Sequence, residues 1–294
     1  MLYFIGLGLA DERDITVAGL EIVRRAERVY LESYTSLLLV PQTTLETFYN
    51  RPIILADREL VESASTTILA DAATTDIAFL VVGDPFGATT HTDLLLRARE
   101  QNIPTRTIHN ASIMNAIGAC GLQLYNFGQT VSMVFFTDNW RPESWYEKVK
   151  QNADIGLHTL VLLDIKVKEQ DWDAIARGAK GAKQYKPPRF MTVAECASQM
   201  VEVAERRKKE EGEETCYDGD SLAVGVARLG SKEQKIVAGR LSELVDVDMG
   251  KPLHSLVLMG KRVHELEIDF VREFAVDKES FDESVKKGGY GTTA

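Results

Sequence analysis

The chain has 294 residues, enough for two domains of about 100–200 residues each, and its 45% hydrophobic and 27% charged content is ordinary globular usage that needs no disulfide or metal to hold a core. A formal net charge of −10 argues against nonspecific nucleic-acid binding, which rests on Lys and Arg neutralising phosphates, and leaves room for a basic protein partner or a cationic cofactor. Cys120, Cys196 and Cys216 are widely spaced with no C-x-x-C pair, so no zinc or redox motif is written and reduced thiols are expected.

The opening Met1-Leu2-Tyr3-Phe4-Ile5-Gly6 lacks the basic start and long apolar stretch of a signal peptide. No run of about 18 apolar residues occurs, so no membrane span and a cytoplasmic protein are expected. Leu2–Gly6 reads as a buried strand. Thr16 is placed to cap a helix with apolar residues at Val17, Leu20 and Val23. Strands are expected at Arg28–Glu32 and Pro52–Ala56, and a helix at Thr67–Ala73. Ile77–Val82 is a continuous apolar run stopped by Gly83-Asp84-Pro85. A helix over Thr92–Gln101 and a strand over Thr105–Ile108 follow. This alternation predicts a mostly parallel sheet with helices on both faces.

Ser112 is placed to cap a helix over Ile113–Ala119, loosened by Gly118 and Gly121. The second half offers strands at Thr130–Phe136, His158–Asp164, Ser221–Ala227, Lys235–Ala238 and His254–Met259. It offers helices at Pro142–Gln151, Thr192–Arg207 and His264–Phe274. The mixed-charge run Glu205–Thr215 reads as a solvated helix end and loop, and Asp277–Ala294 as a frayed tail. The expected organisation is an α/β domain over 1–110, a linker over 111–128, a second α/β domain over 129–275 and a polar tail over 276–294.

Three loops follow strands of the first half. Gly6-Leu7-Gly8-Leu9 allows close backbone approach to a ligand, but Asp11 stands where a dinucleotide fingerprint needs a third glycine, and no P-loop lysine follows. Val82–His91 lies at the carboxyl end of the most apolar strand, where open α/β sheets bind ligands. Asp84 there either forms the turn with Pro85 or accepts hydrogen bonds from, or attracts, a cationic ligand such as a sulfonium. His109-Asn110-Ala111-Ser112-Ile113 opens a helix whose first N–H groups suit a carboxylate, or is an ordinary N-cap. Together they suggest a small-molecule site at one rim. No metal-ligating cluster and no catalytic acid–base pair is legible.

Leu2–Leu9 with Asp14-Ile15-Thr16, Leu31-Glu32-Ser33-Tyr34-Thr35-Ser36, Val82–His91 (VGDPFGATTH), His109-Asn110-Ala111-Ser112 and Pro252-Leu253-His254-Ser255-Leu256 together resemble the diphthine synthases. The resemblance runs from residue 1 to about 275, and the GDPFGATTH form with the acidic insert near residues 205–220 resembles the eukaryotic branch. It implies the two-domain α/β tetrapyrrole methylase fold with the cofactor cleft between the domains, and a homodimer. It implies S-adenosylmethionine as cofactor, with S-adenosylhomocysteine as product. The cofactor contacts it carries over are Leu9, Asp84, Gly87, Ser112, Ile113, Leu163, Leu229 and His254. Leu163 and Leu229 rest on short motifs, and a histidine placed like His254 is often structural.

The implied substrate is the aminocarboxypropyl-modified histidine of translation elongation factor 2. Three N-methylations and one carboxylate methylation would give diphthine methyl ester. Three N-methylations alone remain an alternative, as do methylation of a tetrapyrrole and a non-catalytic nucleotide-binding module. The GDPFGATTH and PLHS segments disfavour the tetrapyrrole reading.

Overall fold

The computed structural model describes residues 1–34, 38–178, 180–210, 212 and 214–291. Thr35 and Ser36 of the second recognised motif and residues 211 and 213 of the acidic insert lie outside the described residues. The chain divides into two compact units, residues 1–116 with 230–232, and residues 117–229 with 233–294.

The first unit contains β1 (Leu2–Gly6), α1 (Val17–Arg25), β2 (Arg28–Glu32), α2 (Gln42–Tyr49), β3 (Ile54–Ala56), α3 (Ser65–Leu69), β4 (Ile77–Val81), α4 (Thr92–Glu100), β5 (Thr105–Ile108) and α5 (Ile113–Ala116). Its five strands pair in the order β3-β2-β4-β1-β5, all parallel, with Leu2 beside Ile77 and Thr105. β1 and β4 are buried along their whole length because helices cover both faces. Alternate residues serve opposite sides. Tyr3, Ile5, Ala78 and Leu80 pack with Ile22 and Val23 of α1 and Leu45 of α2. Leu2, Phe4, Ile77 and Phe79 pack with Ile68 of α3 and Leu94 of α4.

Thr16 caps α1 as expected, its hydroxyl accepting from Gly19 N at 3.1 Å. Val17, expected on the apolar stripe, is 74% exposed, and Ile22 takes the inward position. The helix expected at Thr67–Ala73 ends earlier, at Leu69, because Asp71 takes φ +60°. A single π-helical turn, Glu59–Ser63, precedes it and has no signature in the periodicity.

His91, at the start of α4, is fully buried against Phe79 (ring centroids 5.2 Å apart) and Tyr34 (6.2 Å), and neither ring nitrogen has a hydrogen-bond partner among the described residues. Burial pushes its pKa down to about 4. The unfolded chain binds this proton near pH 6.5 and the native state does not, so stability falls as pH drops from about 6.5 toward 4. The limiting slope for one such group is about 1.4 kcal/mol per pH unit. Urea midpoints at pH 7 and pH 5 should therefore differ less for His91→Leu than for the unsubstituted protein. Equal differences would mean that His91 does not stay neutral.

The second unit contains β6 (Val131–Met133), α6 (Tyr146–Asp154), β7 (Thr159–Leu163), β8 (Ile165–Lys166), α7 (Trp172–Ala176), β9 (Arg189–Phe190), α8 (Val193–Glu210), β10 (Leu222–Ala227), β11 (Lys235–Arg240), α9 (Leu241–Leu244), β12 (His254–Leu258), α10 (Glu265–Arg272) and α11 (Lys278–Gly288). Its five-stranded sheet runs β11-β10-β12-β7-β6, antiparallel except for β6 with β7. α8 lays Val193, Cys196, Ala197, Met200 and Val203 on the core of this sheet. Gly225 of β10 lets Val193 approach, since a Cβ there would lie 2.8 Å from Val193 Cγ1. β8, β9, α7 and α9 were not expected from the sequence. His158 is fully buried, its Nδ1 accepts from Gly260 N at 2.9 Å, and burial lowers its pKa to about 4.

The tail expected to fray is instead ordered as far as residue 291. Asp277 caps α11 by accepting from Ser280 N at 2.8 Å, and Gly289 ends it in the left-handed region. Phe281 is fully buried, Arg272 holds Asp282 through two bonds of 2.6 and 2.8 Å, and the Tyr290 hydroxyl accepts from Leu222 N at 2.9 Å. Among the described residues no helix is long and apolar enough to cross a membrane.

Candidate functional site

The parallel sheet of the first unit brings the carboxyl ends of β4, β1 and β5 side by side, in that spatial order. The three loops singled out in the sequence leave from these ends, so their convergence follows from strand direction and order. The first two loops pair with each other: Gly8 N donates to Gly83 O at 3.2 Å, and Gly83 N donates to Gly8 O at 2.7 Å. Gly6 is packed so closely that a Cβ would lie 2.6 Å from Gly83 O and 2.7 Å from Asn110 Cβ. The second and third loops touch at Gly87, where a Cβ would lie 2.5 Å from Ser112 Oγ. Only glycine fits at either position without displacing its neighbours.

Asp84 joins the second loop to the third. Its Oδ1 accepts from Phe86 N at 2.9 Å, and its Oδ2 accepts from Asn110 N at 3.0 Å and meets His109 Nδ1 at 2.8 Å. Its side chain is 14% exposed. Burial pushes the carboxyl up, but the Phe86 and Asn110 amides and the His109 ring outweigh it and hold the pKa below the ordinary carboxylate value. Asp84 is therefore an anion at neutral pH, and its turn-forming and charge-bearing roles coexist.

Leu9 is half-buried, with its main-chain N 3.2 Å from Asp14 Oδ2, which also accepts from Ala10 N at 2.8 Å. Gly230, in the short stretch 230–232 that belongs to this unit, lies against Leu9; a Cβ there would be 3.6 Å from Leu9 Cβ. Ser112 is buried; its Oγ accepts from Met114 N at 3.3 Å, while Asn115 Oδ1 accepts from Ser112 N at 2.8 Å. The expected helix Ile113–Ala119 is only α5 followed by a 3₁₀ turn over Ile117–Cys120, so a helix dipole adds little at this rim. Ile113 is half-buried and its amide has no hydrogen-bond partner among the described residues, which leaves a donor for a ligand.

The structure thus gathers Leu9, Asp84, Gly87, Ser112 and Ile113 at one rim of one sheet. Leu163, Leu229 and His254 belong to the second unit. Leu163 ends β7 within the core of that unit, and Leu229 is buried just past β10. His254 opens β12 with both ring nitrogens engaged: Nδ1 accepts from Val193 N at 3.3 Å, and Nε2 lies 2.9 Å from Lys251 O. Burial lowers its pKa, so it is neutral at pH 7. Both nitrogens of His254 are thus used inside the unit, and its backbone lies in the sheet opposite Ala227. Among the described residues no group of three or more His, Cys, Asp and Glu is placed to hold a metal.

Asp14 and Asn110 were not singled out among the site residues, though both organise this rim. Both lie inside the recognised motifs, but nothing along the chain marks the backbone atoms they bind.

The sequence model of the family described as Tetrapyrrole (Corrin/Porphyrin) Methylases matches residues 1–245. The chain is 64% identical over 293 residues to a diphthine methyl ester synthase of Emericella nidulans, covering 100% of both chains. It is 58% identical over 286 residues to that of Saccharomyces cerevisiae, covering 97% of this chain and 93% of the relative. A crystal structure of a diphthine synthase superimposes with a TM-score of 0.80 at 33% identity, covering 97% of this chain and 99% of that one.

Proposed function

The chain belongs to the tetrapyrrole methylase family, and from its full-length likeness to diphthine methyl ester synthases we infer that it is an S-adenosylmethionine-dependent methyltransferase of diphthamide biosynthesis. Its substrate on this reading is the aminocarboxypropyl-modified histidine of translation elongation factor 2. The observation that carries the reading is the identity of 64% over 293 residues, which covers 100% of both chains. That the relatives are methyl ester synthases supports a fourth transfer, to the carboxylate, after three to the amine. It also disfavours the tetrapyrrole substrate and the non-catalytic module.

We propose Leu9, Asp84, Gly87, Ser112 and Ile113 as cofactor contacts of the first unit. Leu163, Leu229 and His254 are further contacts that rest on the family resemblance. The rim fits such a cofactor. Gly87 permits backbone approach, Leu9 and Ile113 offer apolar surface, the Ile113 amide offers a donor, and the Asp84 anion suits a cationic ligand. S-adenosylmethionine, when bound, supplies a sulfonium-borne methyl group whose S–C bond breaks as the new N–C or O–C bond forms. The chain's own part is to fix the rim so that the incoming group lies in line, because alignment dominates when the leaving group is already good. The amine must be neutral before each N-transfer; water or a residue outside the recognised motifs takes its proton. The carboxylate needs no base. The protein is expected to be cytoplasmic and to act as a homodimer, independent of nucleic acid and membrane.

The test is incubation with S-adenosylmethionine and elongation factor 2 carrying the unmethylated aminocarboxypropyl group, followed by mass spectrometry of the modified peptide. Four successive methyl increments, the last removed by mild alkali, are expected. Three alkali-stable increments would restrict the enzyme to N-methylation, and no increment would overturn the reading.

A further inference from the structure

We propose that Asn110 is the positioning residue of the cofactor rim: its side chain sets the spacing of the first loop against the third, its main-chain N ties in the second, and it thereby sets the affinity for cofactor. The inference rests on reading this rim as the cofactor site.

The Asn110 side chain is fully committed. Its Nδ2 donates to Gly6 O at 3.0 Å and to Asp14 O at 2.9 Å, and its Oδ1 accepts from Ala111 N at 2.8 Å. Its main-chain N donates to Asp84 Oδ2 at 3.0 Å. The first loop is thus held at both ends, where it leaves β1 and where it approaches α1, and the second is held through Asp84. The two carbonyl partners fix the orientation of the amide. A flipped side chain would set its oxygen against two other oxygens. The same Asp14 whose carbonyl Asn110 grips accepts, through its carboxylate, from Ala10 N and Leu9 N. A shift at Asn110 is therefore passed directly to Leu9. Gly6 transmits it as well, since its backbone is packed against Asn110 Cβ with no space to absorb movement.

Asn110 touches no part of the ligand on this account. It acts through Leu9 and Asp84, so its loss shows as weakened cofactor binding, and turnover at saturating cofactor is kept. Asn110→Asp is nearly isosteric but replaces two donors by an anion facing two carbonyl oxygens. Asn110→Ser replaces the two amide donors by a single donor on a shorter side chain, without adding charge.

The experiment measures S-adenosylhomocysteine affinity by calorimetry, and KM for S-adenosylmethionine and kcat with the modified elongation factor, for the unsubstituted protein and both variants. Asn110→Asp is expected to raise Kd and KM roughly tenfold, and Asn110→Ser roughly fivefold, with kcat changed less than about twofold. For Asn110→Asp the gap should narrow as the pH is lowered from 8, because the two carbonyl oxygens facing the carboxyl raise its pKa and the protonated form regains one donor. A merely structural residue would lower kcat through a reduced active fraction and leave KM and its pH dependence untouched. Unsubstituted protein that binds cofactor, beside variants that bind it equally well, would overturn the role of Asn110 alone. Unsubstituted protein that binds none would overturn the reading beneath it and this inference with it.

Discussion

Asp84→Ala is expected to weaken S-adenosylhomocysteine binding roughly a hundredfold or more while the protein stays folded. The size follows from what the carboxylate does. It accepts from Phe86 N and Asn110 N and holds His109, and hydrogen bonds to an ionised acceptor contribute about 1.5–3 kcal/mol each. Removing it frees the second loop from the third and leaves both amides to water. It also removes the negative charge at a rim proposed to take a cation. The fold survives because the strands beneath, β1 and β4, are buried along their length and do not depend on the loop. Asp84→Asn should lie between, since it keeps one acceptor and loses the charge. The pH profile has a definite sign. A carboxyl whose native pKa lies below its unfolded value contributes fully above the ordinary 3.8 and is lost only as pH falls through the lower native value. Affinity of the unsubstituted protein should therefore be insensitive to Asp84 between pH 8 and pH 5. An unchanged Kd in Asp84→Ala, measured by calorimetry on protein with a native melting curve, would remove this rim from consideration.

The second large effect concerns stability. Phe281→Ala should cost about 3–5 kcal/mol, the usual range for emptying a fully buried aromatic site, and lower the melting temperature by about 10 °C. Phe281 is the inward residue of α11, a helix also fixed by the paired Arg272 and Asp282 and followed by Tyr290, which hydrogen-bonds to Leu222 of β10, the strand next to the edge strand β11. Removing the ring therefore loosens an element that covers a sheet edge. A loss below about 1 kcal/mol would mean that this segment frays after all.

Much of the first unit was legible because its strands are short and set off from their surroundings: Leu2–Gly6 is an apolar run ending in glycine, the run from Ile77 to Val82 is closed by Gly83, and Thr105–Ile108 follows Pro104. Leu2–Gly6, Arg28–Glu32 and Thr105–Ile108 appear with the expected bounds. The same property made the rim legible, since each candidate loop begins where such a run stops. Elements whose burial is carried by few residues were not legible. α11 presents only Phe281 and Val285 as large apolar groups, too sparse a period to stand out from a polar tail. Val17 matched the periodicity and still faces solvent, while Gly19 of the same turn lies against Ile5 of β1. Asn110 and Asp14 were invisible as organisers for another reason. Their roles consist of bonds to backbone atoms distant in sequence, Gly6 O among them, and such partners leave no pattern along the chain.

The stretch 230–232 has a consequence for how this protein can be divided. The chain leaves the first unit after residue 116, returns for three residues beside Leu9, and leaves again. No single break can then yield two self-sufficient pieces: a fragment ending at 116 lacks what lies on Leu9, and one beginning at 117 carries three residues with no home.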